Sequence, residues 1–210
     1  MISMKILIFG ATGTVGRELV TQALEMGHTV TAFARDPSKL VISHASLKII
    51  EGDVMDSAAV DRAVAGHDAV LIALGAGSKG QVRSMGTRNI IQAMQKSGTR
   101  RLVCLSTLGV GDSRGNLNFL WKYIMFGMLL RGAFADHVSQ EEYVMRSGLD
   151  WTIVRPAAYT DGERTANYRH GFPATAKALK LKISRADVAD FVLAQLADNS
   201  YVHMTPGVSY

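Results

Sequence analysis

Three glycines near the N-terminus have the spacing of a phosphate-binding turn. Gly10, Gly13 and Gly16 form a G-x-x-G-x-x-G pattern, directly after the nearly all-apolar run of residues 5–9 and before a helical pattern. In such a turn the first glycine permits a tight bend, the second lets the backbone approach a pyrophosphate, and the third allows close packing of helix on strand. The start of the helix adds free amide groups and a partial positive charge. The pattern therefore predicts a site for the phosphates of a dinucleotide.

The end of the second predicted strand bears on which dinucleotide is bound. An acidic side chain there would accept hydrogen bonds from the adenosine ribose of NAD. Here the strand ends at Arg35, whose guanidinium suits the 2′-phosphate of NADP, and Ser38 and Lys39 add a donor and a second positive charge. The alternative is NAD, because a shift of one residue would place the carboxylate of Asp36 at the ribose. We expect NADP(H) as the cofactor in preference to NAD(H).

Two further strand ends are predicted to border the cofactor. Asp53 and Val54 follow the third strand, where an aspartate commonly lies near the adenine and a valine packs on the ring. The fourth strand ends in the stretch 71–77, at the carboxyl edge where parallel sheets bind ligands. Small side chains in this stretch would let the middle of the cofactor pass.

These residues need a scaffold that brings several strand ends to one edge, and the chain has the pattern of one. Predicted strands cover residues 5–10, 28–35, 47–53, 68–75, 101–107 and 150–156. Predicted helices cover residues 15–27, 57–66, 86–98, 137–148 and 185–198. Because continuously apolar strands alternate with helices, we predict an α/β fold: a doubly wound, Rossmann-type parallel sheet, as a single domain over residues 1–210.

The composition excludes several protein classes. Of the 210 residues, 48% are hydrophobic and 20% charged, as in an ordinary globular protein. The net charge of +5 is spread without runs of one sign, so nucleic-acid binding is not indicated, although a mildly basic surface suits an anionic nucleotide. The pattern predicts neither a membrane span nor a signal peptide. A single cysteine, Cys104, fits buried packing in a reducing cytoplasm, and we expect a cytoplasmic protein.

Together these features resemble the short-chain dehydrogenase/reductase superfamily, in its atypical, NmrA-like NAD(P)H-binding branch. Further stretches extend the similarity along the whole chain: VAGHDAVLIALG, GTRNIIQAM, ADHVSQEEYVMRSGLDWTIVRP and ISRADVADFVLAQL. Within that branch the chain is similar to the biliverdin reductase B, or flavin reductase, family. The order of these motifs implies the fold and the cofactor, whereas the substrate depends on the site itself.

The resemblance implies two residues at the reacting end of the cofactor. Ser106, at the end of the fifth strand, would lie beside the nicotinamide and hydrogen-bond its amide or the acceptor. His137 stands where typical members have the lysine of a Tyr-x-x-x-Lys pair, and would orient a ribose hydroxyl or donate a proton near neutral pH. For both, a purely structural role is the alternative. The predicted cofactor-binding residues are, in chain order, Gly10, Thr12, Gly13, Thr14, Val15, Gly16, Arg35, Ser38, Lys39, Asp53, Val54, Leu74, Gly75, Ser106, His137 and Pro156.

The catalytic pair of the superfamily is incomplete in this chain. Ala133 stands in place of the tyrosine that passes a proton in alcohol–ketone chemistry. Ala157 follows Pro156 where the flavin reductase family has a second histidine, which argues against biliverdin as the substrate. A flavin or quinone accepts hydride directly, and its proton can come from water. We therefore predict an NADPH-dependent reductase of a flavin, quinone or similar planar acceptor. The alternative is a non-catalytic NADP(H)-binding redox sensor that acts through a protein partner.

Two segments are predicted to enclose the acceptor. Residues 108–135 contain a glycine-rich loop and an apolar helical stripe over 117–130, and residues 157–182 would form the opposite wall. Three interpretations of the stripe stay open: a wall of the acceptor site, a buried core or face for a homodimer or protein partner, and a contact with a membrane. An apolar helical stripe is most often core or interface. For Arg164, Arg169 and His170 of the second segment, solvated surface charges are the favoured interpretation, and contact with an anionic substrate is the alternative.

Overall fold

The computed structural model describes residues 3–75 and 81–210. The strands are β1 (Lys5–Phe9), β2 (Thr29–Ala34), β3 (Leu47–Glu51), β4 (Ala69–Ile72), β5 (Arg101–Leu105), β6 (Asp150–Pro156), β7 (Ala158–Thr160), β8 (Arg169–His170), β9 (Lys182–Ser184) and β10 (Gly207–Ser209). The α-helices are α1 (Thr14–Glu25), α2 (Ser57–Val64), α3 (Val82–Ser97), α4 (Arg131–Met145) and α5 (Arg185–Ala194). A π-helical segment, Leu120–Leu129, precedes α4.

Eight of these strands form one sheet in the order β3-β2-β1-β4-β5-β6-β10-β8. All neighbours from β3 to β10 run parallel, and only the edge strand β8 pairs antiparallel, with β10. The strand order reverses between β1 and β4, which is where sheets of this kind have their ligand crevice. The prediction of a doubly wound Rossmann-type sheet is confirmed, with the correction that the sheet is mostly rather than wholly parallel.

The two faces of the sheet are covered by different helices. Side chains alternate between the faces along each strand, so Ile6 and Ile8 of β1 pack with α1 and α5, while Leu7 and Phe9 pack with the helices of the other face, α2, α3 and α4. Because both faces are buried, β1 is continuously apolar. Cys104 of β5 is fully buried on the sheet face that α2, α3 and α4 cover. Burial raises the pKa of its thiol, in agreement with the predicted packing role.

Helices α3 and α4 begin earlier than the sequence pattern predicts, α3 at Val82 and α4 at Arg131. The start of α3 depends on Asp136 of α4. Its carboxylate accepts hydrogen bonds from the backbone N–H groups of Arg83 and Ser84, each at 3.1 Å, and from the Ser84 hydroxyl at 2.6 Å. One helix is thus capped by a side chain of another, and no local pattern can predict such a cap.

Four short strands were not predicted, because segments of two or three residues have no detectable periodicity. They are β7, β8, β9 and β10. β10 widens the sheet beyond β6, and β7 pairs with β9 in a separate two-stranded sheet. These pairings bring the chain that follows β6 back against the carboxyl end of the sheet.

The apolar stripe is not part of the core. None of the residues from Leu120 to Leu129 is buried, and Phe119 and Met128 are more than two-thirds exposed. The core interpretation of this segment is therefore wrong. Within the described ranges, the helices lack the combined length and apolar character that crossing a bilayer requires.

A buried ion pair joins α4 to β6. The Nε of Arg155 donates to Glu141 Oε1 at 3.0 Å, and its Nη2 donates to Oε2 at 2.6 Å. Both side chains are almost completely buried, and the remaining guanidinium nitrogen of Arg155 pairs with Asp112 from the loop after β5. The pair therefore ties together the two elements that carry His137 and Pro156.

We expect Glu141→Gln to lower the free energy of unfolding at pH 7 by about 3 kcal/mol, because it leaves the buried Arg155 guanidinium with only the exposed carboxylate of Asp112 as a counter-charge. Urea denaturation followed by circular dichroism measures this change. The matched control is Asp61→Asn, which breaks the exposed ion pair with Lys96 and should leave the denaturation midpoint nearly unchanged. Equal effects of the two substitutions would contradict a structural role of the buried pair.

Candidate functional site

The glycine turn lies where the end of β1, the start of α1 and the end of β4 meet. Gly10 has a φ of +82°, and a Cβ at this position would lie 2.3 Å from the carbonyl oxygen of Ala73. A Cβ at Gly16 would lie 2.0 Å from the carbonyl oxygen of Gly10. The N–H of Gly13 donates to that same oxygen at 3.0 Å and closes the turn. Only glycine fits the first and third positions, as the pattern predicts.

The first turn of α1 presents unpaired amide groups to this turn. Gly13 occupies the N-cap position, no side chain caps the helix, and no acidic residue stands in its first turn. The amides of Thr14, Val15 and Gly16 have no acceptor within the helix, because a first turn lacks preceding carbonyl groups. The positive end of the helix dipole is therefore open to an anion, which is the geometry of a phosphate site.

A cavity of about 210 Å³ opens beside the glycine turn, at the ends of β2, β3 and β4; we call it the adenosine cavity. The predicted residues that line it are Gly10, Thr12, Gly13, Arg35, Val54, Leu74 and Gly75. Its other lining residues, which the sequence did not single out, are Phe33, Ala34, Gly52 and Val82.

Arg35 faces the cavity, whereas Ser38 and Lys39 both contact Asp36. Asp36 accepts a hydrogen bond from the Ser38 hydroxyl at 2.5 Å and lies 3.3 Å from the Lys39 ammonium. These contacts, the hydrogen bond from Ser38 first, hold the pKa of the Asp36 carboxyl below its ordinary value. Ser38 thus hydrogen-bonds to Asp36, Lys39 forms an ion pair with it, and neither side chain lines the cavity. Arg35 does line it, and forms no hydrogen bond or ion pair within the described part of the chain.

The adenine side matches the prediction in part. Val54 is buried and lines the adenosine cavity. Asp53 instead accepts a hydrogen bond from the N–H of Met55 at 2.9 Å and is not a lining residue. The predicted small-residue stretch continues to residue 77, but residues 76 and 77 lie outside the described residues.

A second cavity of about 500 Å³ follows the carboxyl ends of β4, β5 and β6; we call it the acceptor cavity. Gly13, Leu74 and Gly75 line both cavities, so the two form one continuous groove along the edge of the sheet. The predicted residues found only in the acceptor cavity are Thr14, Val15, Ser106, His137 and Pro156. The remaining lining residues are Ala73, Arg83, Leu105, Thr107, Trp121, Phe126, Leu130, Ala133, Phe134, Ala157, Ala158 and Tyr159.

Ser106 presents an unpaired hydroxyl. Its side chain is buried, its backbone N–H donates to the Val154 carbonyl at 2.8 Å, and its Oγ has no hydrogen-bond partner. The structural alternative, in which the hydroxyl bonds to the backbone, is not observed. Because a buried hydroxyl without a partner is destabilising, a ligand in the cavity would supply the missing hydrogen bond.

His137 lies in the second turn of α4, not at a helix N-terminus. Its Nδ1 has no hydrogen-bond partner. Burial, and then the positive charge of Arg83, lower the pKa of His137 to about 4. The imidazole is therefore neutral at pH 7, which suits hydrogen bonding to a ligand better than donation of a proton.

The two predicted enclosing segments meet at the acceptor cavity. Trp121 and Phe126 of the π-helical segment line it, with ring centroids 5.6 Å apart, and Phe126 packs on Phe134 at 4.8 Å. The stretch 157–159 lines the cavity from the other segment, and its Tyr159 is partly exposed. The lining does not include the residues interpreted as solvated charges, which are Arg164, Arg169 and His170.

Sequence reasoning missed Arg83. It stands in the first turn of α3, outside every quoted motif, and its Nε donates to the Leu74 carbonyl at 3.0 Å. A single arginine before a helical pattern gives no signal of its own. Its place in the acceptor cavity follows from the contact between α3 and α4.

Comparison with known proteins agrees with this geometry. A model of the NAD(P)H-binding family matches residues 10–199. An uncharacterized chloroplastic protein of Arabidopsis thaliana is 30% identical over 177 residues, covering 78% of this chain and 62% of that protein. A 3 beta-hydroxysteroid dehydrogenase/Delta 5→4-isomerase of Mycobacterium tuberculosis is 30% identical over 220 residues, covering 95% of this chain and 57% of the enzyme. The chain thus spans about three-fifths of the length of these relatives.

Solved structures show the same fold. A short-chain dehydrogenase/reductase from Veillonella parvula, crystallised in complex with NADP, superposes with a TM-score of 0.84. It is 19% identical in sequence, and the match covers 100% of this chain and 95% of that one. The chain therefore belongs to the NAD(P)H-binding family, with the Rossmann-type fold of the short-chain dehydrogenases/reductases.

Proposed function

We propose that the protein is an NADPH-dependent reductase of a planar acceptor such as a flavin or a quinone. The observation that carries this proposal is the continuous groove along the sheet edge. It runs from Arg35, past the glycine turn, to an aromatic cavity with the unpaired hydroxyl of Ser106. A groove of this layout suits an extended dinucleotide, with a second molecule beside its nicotinamide end.

The preference for NADPH rests on the residues after β2. Arg35 lines the adenosine cavity with its guanidinium unengaged, whereas the carboxylate of Asp36 is occupied by Ser38 and Lys39. A planar guanidinium matches the geometry of a phosphate group, and an engaged carboxylate is poorly placed to bind ribose hydroxyls. The glycine turn and the amides of α1 would hold the diphosphate.

The choice of acceptor rests on what lines the second cavity. Trp121, Phe126 and Tyr159 offer aromatic surface, against which a flat ring packs well. Ala133 lines the cavity where a proton-donating tyrosine would stand, and His137 is neutral. Bound NADPH would supply hydride, which a flavin or quinone ring accepts directly. The residues of the chain then need only to orient the two rings and exclude water, because the accompanying proton can come from solvent.

The second candidate is a non-catalytic NADP(H)-binding sensor that acts through a protein partner. The observation that favours it is the exposed apolar surface of the π-helical segment, where Leu120, Met128 and Leu129 are at least half exposed. A sensor would bind cofactor tightly without turnover. NADPH oxidation with a panel of flavins and quinones distinguishes the two candidates, since no oxidation with any of them would favour the sensor.

We expect Arg35→Glu to weaken NADPH binding at least tenfold, which is about 1.4 kcal/mol, and to change NADH binding much less. The physical reason is repulsion between the new carboxylate and the 2′-phosphate. Titration with each nucleotide, followed by nicotinamide fluorescence, measures both affinities. Arg62→Glu, at an exposed position on α2, controls for the change in net charge. Equal losses for both nucleotides in Arg35→Glu would show that Arg35 does not bind the 2′-phosphate.

We expect Ser106→Ala to lower kcat/KM for acceptor reduction roughly fivefold to tenfold, the value of one lost hydrogen bond at the nicotinamide or acceptor. Steady-state NADPH oxidation with menadione measures the effect. Ser147→Ala is the matched control, because Ser147 is also a buried serine but bonds to the Val144 carbonyl outside the cavity. An unchanged kcat/KM in Ser106→Ala would remove Ser106 from the site.

We expect His137 to make the protein less stable as the pH falls from about 6.5 towards 4. Its pKa in the folded protein, about 4, lies below the ordinary 6.5, so the unfolded chain takes up the proton first. The stability contribution is therefore complete above pH 6.5 and is lost below it. Urea denaturation at pH 7 and pH 5 should show a smaller loss in His137→Gln than in the wild type. The exposed His44→Gln serves as control, and an identical loss in all three proteins would refute the assignment.

A further inference from the structure

Three buried polar atoms without hydrogen-bond partners belong to residues of one cavity. They are Nη1 of Arg83, Oγ of Ser106 and Nδ1 of His137, and all three residues line the acceptor cavity. Buried polar atoms are seldom left unpaired, because each one loses its hydrogen bond to water without gaining another. The proposed cofactor site accounts for Ser106 and His137 but leaves Arg83 without a role.

One hydrogen bond holds the side chain of Arg83 in place. Its Nε donates to the carbonyl oxygen of Leu74 at 3.0 Å, and its side chain is only 14% exposed. Burial lowers the pKa of this guanidinium, yet an arginine stays charged at any physiological pH. Across residues 3–75 and 81–210, no other hydrogen bond from this guanidinium is present, although it has five N–H donors.

The nearest carboxylate, that of Asp136, forms a long ion pair with Arg83 but accepts no hydrogen bond from its guanidinium. Asp136 Oδ2 lies 3.9 Å from Nη1, which is beyond hydrogen-bond distance. The same carboxylate already accepts three hydrogen bonds from the start of α3, two from backbone N–H groups and one from the Ser84 hydroxyl. Asp136 is therefore committed to capping a helix, and the charge of Arg83 is only partly balanced.

The rest of the acceptor cavity offers Arg83 no counter-charge. None of its described lining residues is acidic, and Arg83 is the one permanently charged side chain among them. His137 is neutral, because burial first and then the positive charge of Arg83 lower the pKa of its imidazole. Tyr159, the other titratable group of the lining, is a neutral phenol at physiological pH. A cation whose one nearby counter-charge is a carboxylate already engaged in capping a helix attracts an anionic ligand.

We propose that Arg83 forms an anion subsite that binds an acidic group, a phosphate or a carboxylate, on the planar acceptor. This inference rests on the proposed reductase function, because it assigns one feature of the substrate of that same site. The phosphates of the cofactor have their own positions, the diphosphate at the glycine turn and α1 and the 2′-phosphate at Arg35. The ring of the acceptor would then pack on the aromatic lining while its acidic group pairs with the guanidinium.

The test compares acceptors that share one ring system and differ in a single acidic group. FMN and riboflavin share one ring system and differ in a phosphate, and anthraquinone-2-carboxylate and 2-(hydroxymethyl)anthraquinone differ in a carboxylate. Each is titrated into the full-length protein saturated with NADP⁺, so that binding is measured without turnover. We expect the wild type to bind at least one anionic acceptor tenfold or more tightly than its neutral partner. The pair that shows this preference tells whether the subsite takes a phosphate or a carboxylate.

Variants assign the preference to Arg83. Arg83→Met should abolish it and leave the affinity for the neutral acceptors within about twofold, while Arg83→Lys, which keeps the charge, should retain part of it. The exposed Arg62→Met has the same change in net charge and should behave as the wild type. Asp136 binds the backbone N–H of residue 83, so these substitutions leave the cap of α3 intact.

The remaining outcomes overturn the inference in separable ways. Equal binding of charged and neutral acceptors by the wild type would refute the subsite, while NADPH oxidation with riboflavin would still support the proposed function. A loss of NADP⁺ affinity in Arg83→Met at least as large as its loss of anionic acceptor would assign Arg83 to the cofactor. If no acceptor binds and no NADPH is oxidised, the proposed function fails and the subsite fails with it.

Discussion

The site depends on one close approach of the backbone, in which the turn between β1 and α1 lies against the end of β4. A side chain at Gly10 would meet the carbonyl of Ala73, and one at Gly16 would meet the carbonyl of Gly10. This contact is possible only because neither position has a side chain. It places the unpaired amides of α1 at the point where the strand order reverses. Both cavities open from that point, and they share Gly13, Leu74 and Gly75 as lining residues.

The two halves of the groove are supported by different kinds of interaction. The adenosine cavity is built mainly from backbone and apolar side chains at the ends of adjacent strands. The acceptor cavity depends on buried polar contacts between elements, namely the cap of α3 by Asp136 and the pair of Arg155 with Glu141. Such contacts need specific geometry, because a buried polar group without its partner is costly. The position of α4, and with it that of His137, follows from them.

The comparisons bear most directly on the cofactor half. The family model covers residues 10–199 and names NAD(P)H binding, and the fold is shared with a short-chain dehydrogenase/reductase crystallised with NADP. Eight of the 20 residues that line the acceptor cavity come from segments 108–135 and 157–182, which lie largely outside the main sheet. The chemistry of such segments varies among proteins of one fold, so the acceptor has to be argued from the side chains that line this cavity.

The sequence by itself determined the alternation of strands and helices, the glycine turn, and the cavity positions of Arg35, Ser106 and Pro156. These are properties of single strands and their ends, and a parallel sheet places all strand ends at one edge. Only the tertiary structure decided where α3 begins and that Arg83 faces the acceptor cavity, because both depend on Asp136, which is 53 positions away from Arg83 in the chain. It also decided that no residue of the apolar stripe from Leu120 to Leu129 is buried, since a helical pattern of apolar residues does not specify what covers it. Local periodicity indicates which residues lie on the same face of a helix or strand, whereas contacts between distant elements determine what packs against that face.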